Sequence, residues 1–308
     1  MLRYDSLARP LPRVPISLTI GAFDGIHLGH VRLISETRLA AARIGGQSAV
    51  MTFEPHPARV LRPASERRCL TTLNERIQRI ETLGIDHLFI LRFDPALASI
   101  PAETFMAQIC DAMDLRELWI GPDFRLGAGG RGTATVLAEI GRRLGYTVHH
   151  VERVYHDEQP VSSTSIRDML AEGAVDAAAR LLGRLFQVRG EVVHGDHRGR
   201  TIGIPTANVA VPSDHLLPAD GVYACRVYLP DEAEGRPAVT NIGVRPTFGE
   251  QRHTVEAHLL DWSGDLYGQI VGVEFVRRLR GEQRFTGIEA LLAQIHADIA
   301  AARDVLRT

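Results

Sequence analysis

The sequence contains no lysine, so all 35 of its basic residues are arginine. A Walker A loop ends in Gly-Lys followed by Ser or Thr, and its absence excludes the P-loop kinases. Any phosphate that this chain binds must be held by arginine forks, backbone N–H groups, hydroxyls or imidazoles. Glycine-rich turns and helix N-termini are therefore the candidate phosphate sites.

Cysteine is also scarce, and Cys69, Cys110 and Cys225 lie far apart with no Cys-x-x-Cys pair. This pattern predicts neither a disulfide framework nor a zinc ribbon. Reduced, isolated cysteines fit a reducing compartment, so we expect a cytoplasmic location.

Long hydrophobic runs and an excess of charge are missing as well. No stretch approaches the roughly eighteen apolar residues of a membrane span, and Met1 to Pro15 lacks the apolar centre of a secretion signal. The formal net charge of −2 does not favour nucleic acid or anionic membranes, which attract basic surfaces. We expect no membrane or nucleic-acid partner, while a weak homo-oligomer stays open.

A length of 308 residues favours two domains. In the first, short apolar runs alternate with helical patterns, which predicts an α/β fold with a doubly wound parallel sheet. The predicted strands are 16–20, 49–53, 87–91, 118–120 and 147–151, and the predicted helices are 28–43, 74–83, 102–113 and 133–144.

The second part is rich in Val, Tyr and Thr, with runs at 187–193, 222–229, 255–260 and 270–276 separated by Gly, Pro and Asp. This texture predicts an antiparallel β-barrel, and the apolar spacing over 287–306 predicts a terminal helix that packs on it. Two short helices within 165–185 connect the parts. We place the boundary near Gly183, which gives domains 1–183 and 184–308.

A phosphate site is predicted directly after the first of these strands, in the run Gly21-Ala-Phe-Asp-Gly-Ile-His-Leu-Gly-His30. Glycines allow backbone N–H groups to approach an anion, and the helix that follows adds positive charge at its N-terminus. His27 and His30 share one helical face and can donate to phosphoryl oxygens. An isolated His pair of this spacing is more often structural or metal-binding, but the strand, turn and helix context favours the phosphate.

Three further stretches accompany this turn: Val161-Ser-Ser-Thr-Ser-Ile-Arg167, Thr52-Phe-Glu-Pro-His-Pro57 and Gly121-Pro-Asp-Phe-Arg-Leu-Gly127. By itself Ser-Ser-Thr is a helix cap, but with H-x-G-H it resembles the nucleotidyltransferase superfamily. The full set resembles the FMN-adenylylating module of the bacterial bifunctional riboflavin kinase and FAD synthetase family. The resemblance implies that His27 and His30 are catalytic, and that ATP contacts Gly21, Phe23, Asp24, Gly25, His27, His30, Ser163, Thr164 and Arg167. It assigns FMN to Pro55, Pro57, Asp123, Phe124 and Arg125.

The run from Gly127 to Gly132 also matches G-x-G-x-x-G. We do not interpret it as a dinucleotide fingerprint, because that motif belongs to the first strand–helix unit of a Rossmann fold. We expect a flexible loop on the phosphate side.

A second phosphate site is predicted between Gly190 and Asn208, where glycines surround the passage from a strand to a loop. Thr206 and Asn208 offer hard oxygen ligands that suit Mg²⁺, although Pro-Thr-x-Asn by itself more often stabilises a turn. This run, Gly221-Val-Tyr223, the stretch from Asn241 to Phe248 and Val255-Glu-Ala-His-Leu-Leu-Asp261 resemble riboflavin kinase. The resemblance implies an ATP site at Gly195, Gly199, Gly203, Pro205, Thr206 and Asn208, with Mg²⁺ on Thr206 and Asn208. It places riboflavin at Glu256, Arg280 and Phe285, with Glu256 as the general base.

Together the resemblances imply phosphorylation of riboflavin to FMN and adenylylation of FMN to FAD, each with Mg²⁺ and ATP. Leu126 stands where the family usually has Phe, and Ser165 where it usually has a basic residue. Arg125, Arg131 and Arg167 can supply the missing charge. Two alternatives stay open: adenylylation of a different phosphorylated acceptor, and a flavin- or nucleotide-binding regulator without turnover.

Overall fold

The computed structural model describes residues 1–8, 13–62, 68–195, 202–247 and 250–307. The chain packs into two units, Met1–Val161 and Ser162–Thr308. Two helices, Ser163–Ala171 and Val175–Leu182, pack within the second unit, although the motif-based boundary lies after them. The assignment of function to 1–183 and 184–308 stays a prediction.

The first unit is built on a parallel sheet, as predicted. Its strands are β1 (Leu2–Tyr4), β2 (Pro15–Ile20), β3 (Gln47–Glu54), β4 (His87–Arg92), β5 (Asp114–Ile120) and β6 (Thr147–His150). The order is β1-β4-β3-β2-β5-β6, and every neighbouring pair is parallel. The short edge strand β1 was not predicted, because three residues carry too little periodicity to read.

Helices cover both faces of this sheet: α1 (Leu28–Arg43), α2 (Pro57–Leu61), α3 (Leu73–Thr82), α4 (Pro95–Ala98), α5 (Ala102–Ala112) and α6 (Ala134–Leu144). One core joins α5 and α6 to the sheet through residues such as Met106 and Leu137. The other joins α1 and α3 through Ile34 and Ile80. Burial on both faces explains why the strands read as continuous apolar runs rather than alternating ones.

The strand order reverses beside β2, because β3 and β4 lie on one side of it and β5 and β6 on the other. Ligands of open parallel sheets bind outside the carboxyl ends of the strands at such a reversal. The glycine-rich turn that begins at Gly21 follows β2 at this point. A small hairpin, β7 (Tyr155–His156) with β8 (Gln159–Pro160), completes the unit.

The second unit begins with α7 (Ser163–Ala171) and α8 (Val175–Leu182) and continues into a closed antiparallel barrel, as predicted. Its strands are β9 (Phe186–Val193), β10 (Ala207–Ala210), β11 (Gly221–Tyr228), β12 (Arg236–Thr247), β13 (Glu250–Leu259) and β14 (Ile270–Arg280). Strands β10 and β12 were missed, since one is short and the other begins in a Pro- and Gly-containing run. The terminal helix α9 (Ile288–Leu306) packs on β11 through Ala302 and Ala224.

His87 joins the edge strand β1 to the sheet and is 2% exposed. Its Nε2 donates to Gln47 Oε1 at 2.8 Å, which leaves Nδ1 to accept from the Tyr4 hydroxyl at 3.3 Å. Burial lowers the pKa of His87 below its ordinary value of 6.5; the Met1 ammonium acts in the same direction and Asp86 opposes it. The folded first unit therefore holds this ring neutral.

We expect the melting temperature of the first unit to fall as the pH drops below about 6.5, the ordinary pKa of histidine. In this window the unfolded chain binds a proton at His87 that the folded chain resists, so the free energy of unfolding rises with pH. The stabilisation is complete above about pH 6.5 and is lost as the pH falls through the folded pKa. His87→Gln should flatten the pH profile, whereas His150→Gln, at an exposed position of the same unit, should not. Parallel profiles for His87→Gln and the unsubstituted chain would contradict this account.

Candidate active sites

The turn from Gly21 to His30 has an unusual backbone. Phe23 and Ile26 have positive φ angles of 50° and 39°, and Gly25 between them has 86°. Non-glycine residues adopt this region rarely and at an energetic cost that the surrounding structure must offset. The turn is therefore held by its neighbours rather than by its own conformational preference.

The buried carboxylate of Asp24 anchors the turn from Gly21 to His30. Asp24 is 3% exposed, and its Oδ1 accepts hydrogen bonds from the backbone N–H groups of Leu70 and Thr71 at 2.9 and 3.2 Å. The backbone N–H of Gly25 donates to Thr71 Oγ1 at 3.0 Å. These contacts give Asp24 an anchoring role in the turn. That it contacts ATP stays a prediction.

His27 and His30 lie together at the start of α1. Their rings stack with centroids 3.6 Å apart, and the Phe23 ring packs edge-on against His30. His27 is the N-cap of α1, and its Nδ1 accepts from the His30 N–H at 3.3 Å. Because Nδ1 is an acceptor, a neutral His27 carries its proton on Nε2 and can donate it to an anion.

Gly29 makes this arrangement sterically possible. A Cβ at residue 29 would lie 3.2 Å from the Cε1 and Nδ1 atoms of His27. The His27 ring lies close against residue 29, so a methyl group there would move the ring by a few tenths of an ångström. The glycine of H-x-G-H therefore leaves room for the His27 ring beside the helix backbone.

The predicted FMN residues follow the two strands that flank β2. Pro55 and Pro57 come after β3, and Pro57 begins α2; Asp123, Phe124 and Arg125 come after β5. Phe124 packs against the core, whereas Asp123 is 77% exposed in its side chain and pairs with Arg153 at 2.5 Å. A cavity of about 480 Å³ opens nearby, lined by Arg32, Glu36, Trp119 and residues 150–154. Sequence reasoning missed this cavity, since its lining comes from three separated segments.

Ser163, Thr164 and Arg167 lie in the first two turns of α7, within the second unit. Ser162 is the N-cap and accepts from the Ser165 N–H at 3.0 Å, with the two hydroxyls 2.9 Å apart. Arg167 donates to the Ser163 carbonyl oxygen at 3.0 Å. The capping bond comes from the backbone N–H of residue 165, and the Ser165 side chain adds its hydroxyl contact with Ser162.

Leu126 and the glycine-rich loop after it have structural roles. Leu126 is 7% exposed and belongs to the core, and its backbone exchanges two hydrogen bonds with Gly132. Gly127 has a φ of 71°, and a Cβ there would collide with the backbone of Ala102. Close packing on the start of α5 therefore requires this glycine. The expected flexibility and phosphate contacts of the loop stay predictions.

In the second unit, strand register aligns the predicted kinase residues. Asn208 pairs with Glu256, Glu256 with Asn241, Asn241 with Val222, and Val222 with Arg280. Directly paired residues project to the same face of a sheet. Their strand neighbours Val255 and Ala257 are buried inside the barrel, so the row containing Glu256 faces outward, toward α9.

A cavity of about 360 Å³ lies over this row. Its lining includes Thr206, Glu256, Arg280 and Phe285, four of the predicted residues, together with apolar side chains of the barrel and of α9 such as Val222, Val239, Leu291, Ile295 and Ile299. The Arg280 guanidinium is 5.7 Å from the Phe285 ring centroid. An apolar chamber with a few polar groups is typical of a site for a flat organic ligand.

A second cavity, of about 470 Å³, adjoins the first at Thr206. It is lined by Pro205, Thr206, Asn208 and the segment from Trp262 to Tyr267. Gly203 lies beside this loop with a φ of 78°, and Gly195 packs directly against the Asn208 amide, in a space that a Cβ would fill. Of the predicted ATP residues, Gly199 lies outside the described part of the chain.

The oxygen donors of Thr206 and Asn208 fit a hard cation. A hydroxyl and an amide oxygen at one edge of a cavity are ligands that Mg²⁺ accepts while it keeps waters and phosphate oxygens. Elsewhere in the described chain, no group of three or more His, Cys, Asp or Glu side chains is arranged to bind a metal. Mg²⁺ bound mainly through substrate phosphates does not require such a group.

Asp298 and His258 are among the polar residues of the first cavity that sequence reasoning did not assign to a site. Asp298 of α9 accepts from Arg280 Nε and Nη2 at 3.1 and 2.9 Å, and from Gln294 at 2.9 Å. His258, two positions beyond Glu256, donates from Nδ1 to the Pro205 carbonyl oxygen at 2.8 Å. The helical spacing of α9 predicts packing but cannot show that a buried carboxylate meets an arginine 18 residues earlier.

Comparison with known proteins agrees with both halves of this description. Residues 13–165 match the family model described as FAD synthetase, and residues 182–306 match that of riboflavin kinase. The two matches define a bifunctional transferase with a catalytic domain for each activity.

Relatives match over nearly the whole chain. The bifunctional riboflavin kinase/FMN adenylyltransferase of Bacillus subtilis is 37% identical and covers 91% of this chain and 89% of its own. That of Pseudomonas fluorescens is 39% identical, with 92% and 91% covered. The chain belongs to the bifunctional riboflavin kinase/FMN adenylyltransferase family. A solved structure described as a macrolide-efflux protein from Streptococcus pneumoniae is 31% identical, with a TM-score of 0.89 and 98% of each chain covered. Among the residues described for the present chain, no helix is long and apolar enough to span a membrane.

We expect Asp298→Ala to lower the free energy of unfolding of the second unit by about 3–5 kcal/mol, because it leaves the Arg280 guanidinium buried without its carboxylate. The side chains of Arg280 and Asp298 are only 16% and 6% exposed. Urea unfolding measures the change. The matched control is Asp261→Ala, which breaks the exposed Asp261–Arg303 pair and should have a much smaller effect. Equal effects of the two substitutions would contradict the assignment.

Proposed function

We propose that the barrel unit phosphorylates riboflavin to FMN and that the parallel-sheet unit adenylylates FMN to FAD. Each reaction consumes one ATP. Membership of the family supports both activities and places the chain in flavin coenzyme biosynthesis. A cytoplasmic location and a weak homo-oligomer stay expectations.

The observation that carries the kinase assignment is the pair of adjoining cavities. Glu256, Arg280 and Phe285 line one, Pro205 and Asn208 line the other, and Thr206 lines both. We assign riboflavin to the first cavity, where its ring would lie among the apolar side chains near Phe285. ATP belongs in the second, so that its γ-phosphoryl group reaches the first at Thr206. Such juxtaposition of two substrates is a main source of rate enhancement.

In this arrangement Glu256 is the general base. It accepts the proton of the terminal ribityl hydroxyl as that oxygen attacks the γ-phosphorus, and ADP leaves. Cross-strand pairing holds Glu256 between Asn208 and Asn241, which orients the carboxylate toward the cavity. Thr206 and Asn208 would hold Mg²⁺, which neutralises charge on the phosphate oxygens when it is bound.

For adenylylation, a phosphate oxygen of FMN attacks the α-phosphorus of ATP, and pyrophosphate leaves. His27 donates from Nε2 to the phosphoryl oxygens as charge develops on them, and the stacked His30 does the same. Ser163, Thr164 and Arg167 are assigned to the leaving pyrophosphate by their place in the family motif. Pro55, Pro57, Asp123, Phe124 and Arg125 are assigned to FMN on the same basis.

The direct test incubates the purified chain with riboflavin and Mg-ATP and separates the products by chromatography. FMN and FAD should both appear, and FAD alone should form from supplied FMN. Formation of neither product defeats the proposal. Turnover of a different phosphorylated acceptor would identify another nucleotidyltransferase, and tight flavin binding without turnover would identify a regulator.

Glu256→Gln should reduce FMN formation by about 100-fold to 10,000-fold, the usual contribution of a general base. The same protein should adenylylate supplied FMN at the unsubstituted rate, because the predicted adenylylation residues do not include Glu256. Retained adenylylation is also the control for protein concentration, and a thermal melt of the barrel unit is the control for its folding. Equal loss of both activities in a folded variant would contradict the assignment.

Gly29→Ala should slow FAD formation by about tenfold or more, since the added methyl group displaces the His27 ring from its stacked position. Riboflavin phosphorylation should be unchanged. Leu39→Ala, at a 49% exposed position of the same helix, is the control and should affect neither rate. An unchanged rate of FAD formation in Gly29→Ala would show that the ring geometry at His27 is not required.

A further inference from the structure

Arg76 lies in α3, outside every motif discussed so far, and its side chain is 4% exposed. Its Nη1 donates to the Ala22 carbonyl oxygen at 2.7 Å, and its Nη2 to Glu54 Oε2 at 2.5 Å. Nη1 also lies 3.4 Å from the hydroxyl oxygen of Thr52. A buried guanidinium thus connects two segments that are distant in sequence.

Both ends of this connection belong to the proposed adenylylation site. Ala22 is part of the strained turn between Gly21 and Gly25, and Glu54 is the last residue of β3, directly before Pro55. The Thr52 hydroxyl donates to the same Ala22 carbonyl oxygen at 3.2 Å. The guanidinium therefore lies between the segment assigned to ATP and the segment assigned to FMN.

The helix that carries Arg76 is itself fixed relative to the turn. Asp24 accepts from the N–H groups of Leu70 and Thr71, immediately before α3. A capping box follows, in which the Glu75 N–H donates to Thr72 Oγ1 and the Thr72 N–H donates to Glu75 Oε2. With its backbone held in this way, Arg76 has little freedom to adjust, and its planar fork sets the spacing between its two acceptors.

We infer that Arg76 is a positioning residue for adenylyl transfer, which sets the distance between the nucleotide turn and the FMN loop through Ala22 and Glu54. The inference rests on the proposed adenylyltransferase function. In-line attack needs the reacting atoms about 3–3.5 Å apart, and an error of about 1 Å can cost about 100-fold in rate. The Arg76 side chain, which bridges the two proposed substrate-binding segments, affects this distance without touching either substrate.

The experiment compares Arg76→Gln, Arg76→Lys and Glu54→Gln with the unsubstituted full-length chain, using FMN and Mg-ATP. Riboflavin phosphorylation by each preparation measures the concentration of its folded barrel unit, and a thermal melt checks that the first unit is folded. We expect Arg76→Gln to lower kcat for FAD formation by about 100-fold, with a smaller change in the KM for ATP. Arg76→Lys keeps the charge and should recover part of the rate. Glu81→Gln on the same helix breaks only the exposed Arg3–Glu81 pair and should leave kcat unchanged.

A double-substitution cycle separates positioning from general stabilisation. Glu54→Gln weakens the contact between Arg76 Nη2 and the side chain of residue 54. It should therefore lower kcat in the native background and add little to the loss in Arg76→Gln. Additive losses would overturn the inference, as would an unchanged kcat accompanied only by a lower melting temperature. If Arg76→Gln does not fold, Glu54→Gln carries the same kcat test. Failure of the unsubstituted chain to adenylylate FMN would defeat the proposed function instead.

Discussion

The turn from Gly21 to His30 depends on a buried polar network that holds an unfavourable backbone in place. Phe23 and Ile26 adopt positive φ angles that cost free energy, and the compensating contacts come from the segment that leads into α3. Asp24 accepts from Leu70 and Thr71, and Arg76 donates to Ala22. Without these bonds the turn would relax, and the geometry of His27 and His30 that follows it would be lost.

The barrel unit uses a different constraint, which is the pairing register of its strands. A shift of one residue in β13 would turn Glu256 into the barrel and bring Val255 or Ala257 to the cavity. The buried interior side chains prevent that shift, so the hydrophobic core also determines the orientation of the proposed base. The Arg280–Asp298 pair then ties α9 to β14 across the cavity. Core packing and site geometry are thus set by the same contacts.

Because the chain has no lysine, arginine side chains form the ion pairs with carboxylates near both proposed sites. In the first unit, a guanidinium bonds two acceptors at once, which a single ammonium on a flexible stem does less well. In the second, Arg280 Nε donates to Asp298 Oδ1 and Nη2 donates to Oδ2. Arginine thus bridges two segments of the first unit and lines a cavity of the second.

The sequence by itself determined the fold class and the order of the main helices and strands, and it predicted the segments that carry the sites, because periodicity, glycine-rich turns and the motifs around His27, Thr206 and Glu256 are local features. The family resemblance also assigned Thr206 to ATP and Mg²⁺, and Glu256, Arg280 and Phe285 to the flavin of the same domain. Only the tertiary structure decided that Asp24 anchors a loop, that Leu126 is a core residue, and that Arg76, His258 and Asp298 bond to partners far along the chain. The physical reason is that such bonds depend on strand register and helix packing, which bring together residues whose spacing in sequence carries no signal.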